Sequence, residues 1–253
     1  MQNENEHTYD NGFHPKEVHL KPNYPFYNQN FFFFLLSFFV KWFTRLWIFI
    51  PKRIIGFRVI GKKNRYKVKG AIMVSNHIHQ FDAFYLVTSI YHKKCYVTML
   101  ESNLGFGIAS KYMRIAAAVP IPTERRQLKR FGEATGEILN KGKNVLFYPE
   151  AALMPYCDHI RNFLPGAFHY AVVYERPILP CCFTFHKPKG LQKLFRRKKP
   201  VIHCNFLEPY YITPKETRAE TIQKTTEEVH NIIEDYFIKH SDYYYQDGKK
   251  IER

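Results

Sequence analysis

His77 and Asp82 stand five residues apart, just after an apolar run, Ala71 to Val74, that ends abruptly in Ser75-Asn76-His77. A buried strand ending in a histidine brings that side chain to the carboxyl edge of a sheet, where α/β proteins place their ligands. An aspartate bonded to one imidazole nitrogen fixes the tautomer and leaves the other nitrogen as a base. A five-residue step does not share a helix face. The spacing therefore predicts His77 in a strand-to-helix turn, with Asp82 in the first helical turn facing back. No serine or cysteine accompanies the pair as a nucleophile. The chemistry this suggests is proton removal from a substrate hydroxyl that attacks an activated acyl carbon. The same two residues also read as an aspartate capping a helix beside a surface histidine.

Three later blocks carry polar residues to comparable places. Ala116 to Val119 leads through Pro120-Ile121-Pro122-Thr123-Glu124 to Arg125 and Arg126. Paired arginines bind phosphate bidentately, though a solvated helix start reads equally well. Val145-Leu146-Phe147-Tyr148 ends in Pro149-Glu150, where the glutamate is placed to bond a substrate hydroxyl, to hold the site together, or simply to face water. Arg161 precedes Gly166-Ala167, and Pro177-Ile178-Leu179-Pro180 is a strand bounded by prolines, which reads as a structural edge.

The elements that must position these residues alternate along the chain. Strands are expected at Ile54–Ile60, Ala71–Ser75, Cys95–Met99, Asn144–Phe147, Ile178–Phe185 and Val201–Phe206. Helices are expected at Ala83–Ile90, Gln127–Lys141, Ala167–Tyr174 and Thr217–Ile238, with Gly142 ending the second of these. This alternation implies an α/β fold, a mainly parallel sheet flanked by helices. With no internal repeat or linker, residues 51–253 form one domain.

Residues 1–50 form a separate region, a polar segment followed by an apolar helix. The first 30 residues lack a small-residue cleavage site ahead of any apolar run and are expected to be loosely ordered. Phe31 to Ile50 is long enough to suggest a membrane span. However, Ser37, Lys41 and Arg45 make one polar stripe on a helix, opposite a broad face of Phe and Trp. Charges in mid-span cost about 2.5–3.5 kcal/mol each, so the segment reads as an amphipathic helix lying in the membrane interface, stopped by Pro51.

The net charge is +16, which calls for an anionic partner. Two acid-free runs hold nearly all of the excess. One spans Pro51 to Lys69; the other spans Lys187 to Lys199 and includes Arg196, Arg197 and Lys198. Beside an interfacial helix they read as contacts to anionic membrane lipid; as isolated runs they read as solvated loops. The sequence carries no helix-turn-helix, RNA-binding or zinc module, so no nucleic-acid partner is expected. The five cysteines match no zinc pattern. They read as reduced thiols in a cytosol-facing protein, and no metal is expected.

Together the blocks resemble the glycerolipid acyltransferase family, whose best-known members are the 1-acylglycerol-3-phosphate acyltransferases. That family shows Asn-His-x4-Asp, a Gly-rich strand ending in Arg, Phe-Pro-Glu-Gly-Thr-Arg, and an apolar block bounded by prolines. Here these are Asn76 to Asp82, Val119 to Arg125, Phe147 to Glu150, and Pro177 to Pro180. The resemblance, over roughly residues 53–210, implies His77 as general base, Asp82 as its orienter, Arg125 as a phosphate contact and Glu150 as a glycerol contact. The implied substrate-binding set is Asn76, Arg125, Arg126, Glu150 and Arg161. Acyl-CoA or acyl-carrier protein serves as the thioester co-substrate with no further cofactor, and a lysophospholipid is the acceptor, 1-acylglycerol-3-phosphate foremost. The implied location is the cytoplasmic face of a membrane. Two departures matter: the arginine block carries extra residues, Pro122-Thr123-Glu124, where the family is tighter, which leaves the family's arginine position to either Arg125 or Arg126, and Ala151-Ala152-Leu153 stands where the family has Gly-Thr-Arg. The second removes an expected phosphate ligand that Arg161 or Arg126 would have to replace. It also leaves room for a non-catalytic lipid-binding protein with the same fold.

Overall fold

The computed structural model describes residues 16–54, 56–90, 95–190, 192–195 and 199–253. The apolar run before His77 is strand β2 (Ile72–Ser75), following the long helix α1 (Phe31–Ile54) and the short strand β1 (Arg58–Ile60). Then come α2 (Asp82–Thr88), β3 (Cys95–Leu100), α3 (Ile108–Ile115), β4 (Ala118–Ile121), α4 (Arg125–Asn140) and β5 (Asn144–Phe147). The chain continues through α5 (Gly166–Val173), β6 (Ile178–His186), α6 (Gln192–Phe195), β7 (Val201–Phe206) and α7 (Arg218–His240). It closes with the hairpin β8 (Tyr243–Gln246) and β9 (Lys249–Glu252).

Seven strands form one sheet in the order β1-β7-β6-β2-β5-β3-β4. Every pairing is parallel except β6 with β7. This is the expected α/β architecture. Strands β2 and β5 are buried at every position, as a sheet covered on both faces requires. His77 therefore leaves the middle of the sheet, whereas Arg125 follows its edge strand.

The amino-terminal region departs from expectation in three ways. First, residues 16–30 are tied down: Leu20 and Phe26 are buried in the core, and Gln127 donates to the Leu20 carbonyl at 2.9 Å. Residues 1–15 lie outside the described residues. Second, α1 runs past Pro51 to Ile54. It stops at Gly56, whose φ is +68°; Gly56 N–H returns to the Arg53 carbonyl and Phe57 N–H to that of Lys52. A left-handed glycine closing the last carbonyls is a stronger stop than a proline that costs one bond. The strand expected from Ile54 consequently shrinks to Arg58–Ile60.

Third, the polar stripe of α1 faces the domain. Ser37, Thr44 and Ile48 are buried there, and Thr44 bonds the Tyr112 hydroxyl. Arg45 donates to the Ile90 carbonyl at 3.1 Å. Lys52 donates to the Tyr85 carbonyl, Thr88 Oγ1 and Ser89 Oγ at 3.1, 2.6 and 3.2 Å. Lys52 thus sits among the oxygens of the last turn of α2, at the negative end of its dipole, and Arg45 meets the carbonyl of Ile90 just beyond it. The apolar face is left outward: Phe32, Phe38, Trp42, Phe43, Leu46 and Trp47 are all exposed.

Candidate active site

His77 Nδ1 lies 2.6 Å from Asp82 Oδ2. The same carboxylate oxygen accepts the backbone N–H of Ile78 at 3.1 Å and of His79 at 3.3 Å. The turn between β2 and α2 is thus wrapped around one buried oxygen. Asp82 is 1% exposed and His77 22%. The capping alternative fails on direction: the Asp82 carboxylate points back over the turn, not toward the amides of α2. With Nδ1–H held by Asp82, Nε2 carries the basic lone pair.

The Tyr148 ring stacks on the imidazole, with centroids 4.1 Å apart and planes 19° from parallel. Burial first, and the Asp82 charge second, push the Tyr148 phenol well above its ordinary range. Tyr148 therefore stays neutral and acts as a wall fixing the plane of His77. Sequence reasoning gave it no role. The only signal was its place in the Phe147-Tyr148-Pro149-Glu150 block.

Asn76, Glu150 and Arg161 come together around this turn from the inside. Asn76 is fully buried. Its amide donates to the Phe183 carbonyl at 3.0 Å, and its oxygen accepts Phe183 N–H at 2.8 Å, so it continues the β2–β6 ladder one residue beyond the strand. Glu150 accepts His77 N–H at 3.0 Å and Arg161 N–H at 3.2 Å. It pairs with Arg161 Nη2 at 2.9 Å, with side-chain exposures of 1% and 0%. Arg161 also donates to the Ala152 carbonyl. Burial pushes the Glu150 carboxyl up, against the opposing pull of Arg161 and the two backbone donors. All three side chains hold backbone, and Arg161 has no exposed surface with which to meet a phosphate.

Arg125 and Arg126 are exposed at the start of α4, on the same carboxyl edge as His77. Strands β5 and β3 lie between β4 and β2, so the arginines start about 14 Å to the side at ~4.8 Å per strand. Glu101, which sequence reasoning missed, braces the loop that presents them. Its carboxylate accepts Thr123 N–H and Oγ1–H, both at 2.7 Å, and Leu20 N–H at 2.7 Å. Burial alone would raise this carboxyl, but the Thr123 and Leu20 donors outweigh it and hold it below its ordinary value.

The stretch that departs from the family pattern covers the turn. Ala151 takes φ 65°, a left-handed conformation that suits glycine, so the turn survives where the glycine does not. Met154 N–H and Tyr156 N–H then bond the His77 and Ile78 carbonyls at 3.3 and 2.9 Å.

A family model for acyltransferases matches residues 56–184, just over half of the chain, including His77, Asp82, Arg125, Glu150 and Arg161. No curated protein matches. Among solved structures, the chain is similar to the 1-acyl-sn-glycerophosphate (LPA) acyltransferase PlsC from Thermotoga maritima. The TM-score is 0.51 at 18% identity, over 81% of this chain and 87% of that one.

Proposed function

Since the chain belongs to the acyltransferase family, we propose that it moves a fatty acyl group from acyl-CoA or acyl-carrier protein to the free hydroxyl of a lysophospholipid, 1-acylglycerol-3-phosphate foremost. The product would then be phosphatidic acid. The observation that carries this reading is the 2.6 Å contact between His77 and a buried Asp82. His77 Nε2 takes the acceptor's hydroxyl proton as its oxygen attacks the thioester carbonyl. The oxyanion collapses, the carbon–sulfur bond breaks, and the proton passes to the departing thiolate. Asp82 holds the imidazolium that forms between the two steps. Arg125 and Arg126 take the acceptor's phosphate, because Arg161 is committed to Glu150.

The protein works on a membrane surface. An apolar helix face turned away from its own domain matches a bilayer interface. The opposite face docks onto the domain from Ser37 to Lys52, about 22 Å of helix. A helix held alongside its domain over that length lies along the interface and does not cross it. Five free, buried thiols support a reducing, cytosol-facing location.

The test is a panel of lysolipid acceptors with acyl-CoA and acyl-carrier-protein donors. Acylation of a lysophospholipid, fastest for 1-acylglycerol-3-phosphate, is the expected result. No turnover with any pair would instead make this a lipid-binding protein with the acyltransferase fold, the reading favoured by the loss of the Gly-Thr-Arg stretch.

A further inference from the structure

An open cavity of about 530 Å³, walled by Phe49, Phe57, Val59 and Ile60 as well as by basic side chains, lies where the end of α1 meets edge strand β1. Lys52, Arg53, Arg58, Lys62 and His203 line it, and no carboxylate does. Among the described residues none of the four cations has a carboxylate partner: Lys52 is bonded to neutral oxygens, and Arg53 lies over the Phe49 ring at 5.2 Å. His203 Nδ1 is buried without a hydrogen-bond partner, and its ring stacks on His186 at 3.8 Å. Asp242 lies 3.8 Å from His186 and does not line the cavity. Lys52 is held by the end of α2, but Arg53, Arg58 and Lys62 have no carboxylate beside them among the described residues, so an anion placed among them is attracted.

The rim identifies the kind of anion. Phe49, Ile54 and Ile60 border or flank the opening and are 54%, 51% and 43% exposed. Phe49 and Ile54 belong to the exposed apolar residues of α1, and Ile60 stands on β1 beside them. A ligand that fills both halves has an anionic head among the arginines and an acyl tail along α1. Inorganic phosphate would use only the first half. The cavity is also separate from the reaction centre. Strand β1 lies three strands from β2, on the side opposite Arg125, about 14 Å away at ~4.8 Å per strand.

We infer that this cavity binds the headgroup of one anionic phospholipid of the bilayer, fixing the α1–β1 corner to the membrane independently of the acceptor. This rests on the reading that α1 lies in the interface. The lipid binds by charge and shape, with no bond made or broken.

The experiment compares the full chain with its Arg53→Glu/Arg58→Glu variant. An Arg218→Glu/Lys224→Glu variant on α7 is the control of equal charge. Binding is measured to vesicles of phosphatidylcholine with and without phosphatidylglycerol, and to dihexanoyl phosphatidylglycerol below its micelle concentration. The expected result is that the unmodified chain binds both vesicle types, prefers the anionic one, and binds the short-chain lipid saturably. The cavity variant should lose saturable binding and at least about tenfold of the anionic preference, while still binding neutral vesicles. The control should keep both properties. If the control loses as much as the cavity variant, the attraction is diffuse and the site does not exist. If inorganic phosphate displaces the short-chain lipid at equal concentration, the lipid assignment is wrong. If the unmodified chain ignores both vesicle types, the membrane reading of α1 falls and takes this proposal with it. Should Arg53→Glu/Arg58→Glu fail to fold, Arg53→Gln/Arg58→Gln gives the same comparison with a smaller effect.

Discussion

Asp82 Oδ2 takes three donors from one tight turn, and this local economy is why the His77–Asp82 pair could be read from spacing alone. All of its partners lie within five residues. The roles of Asn76 and Arg161 could not be read that way, and for Glu150 the sequence offered holding the site together only as one of three readings. Asn76 meets Phe183, 107 positions along the chain, and the Glu150–Arg161 pair becomes an interior brace only once the covering loop folds over it. Burial changes what these residues do: a half-exposed arginine can grip a phosphate, whereas one with no exposed surface can only satisfy its neighbours. Arg161→Met should therefore destabilise the fold by about 3–5 kcal/mol, because it strands the Glu150 charge. Adding Glu150→Gln should recover part of that loss. Denaturant unfolding of the single and double variants checks this. A single variant as stable as the parent would return Arg161 to the surface and to phosphate binding.

Among the elements, the sheet strands were legible because continuous apolar runs bounded by turn residues admit few alternatives. The end of α1 was not, because Pro51 is the louder signal and Gly56 the stronger stop. The β8–β9 hairpin was overlooked despite its Asp247-Gly248 turn, with positive φ at both positions, a pattern that does announce a hairpin. The polar stripe of α1 was legible as a stripe, but its docking onto the domain was not, since periodicity defines a face without saying what it meets. Strand β7 carries a titration of its own. Burial first, then His186 and Arg58, lower the His203 imidazole to about 4. Between pH 6.5 and 4 the unfolded chain takes up a proton there that the folded chain does not, so this contribution to stability falls as pH falls through that window. Thermal unfolding across that range should show the parent losing more stability than His203→Gln. Parallel curves would mean that His203 is solvated.

At the scale of the whole molecule, the sheet sets the reaction centre between two cationic ends. His77 leaves its middle strand, Arg125 and Arg126 flank one edge, and Lys52 to Lys62 flank the other. The second basic run of the sequence lies partly outside the described residues, at 191 and 196–198. The only two tryptophans in the chain, Trp42 and Trp47, sit on the outward face of α1, 57% and 56% exposed. Tryptophan fluorescence, excited selectively, therefore reports on α1 alone. Adding phospholipid vesicles should shift the emission to the blue as both rings leave water. Unchanged emission in the presence of bound vesicles would place some other surface on the membrane.

The proposed chemistry depends most on His77 acting as the base. The direct measurement is the turnover of His77→Ala on the best acceptor and donor pair, with its unfolding transition recorded alongside to establish that it is folded. A loss of about 10²–10⁴-fold in kcat is the predicted result. Near-parental turnover in a folded His77→Ala protein would contradict the account.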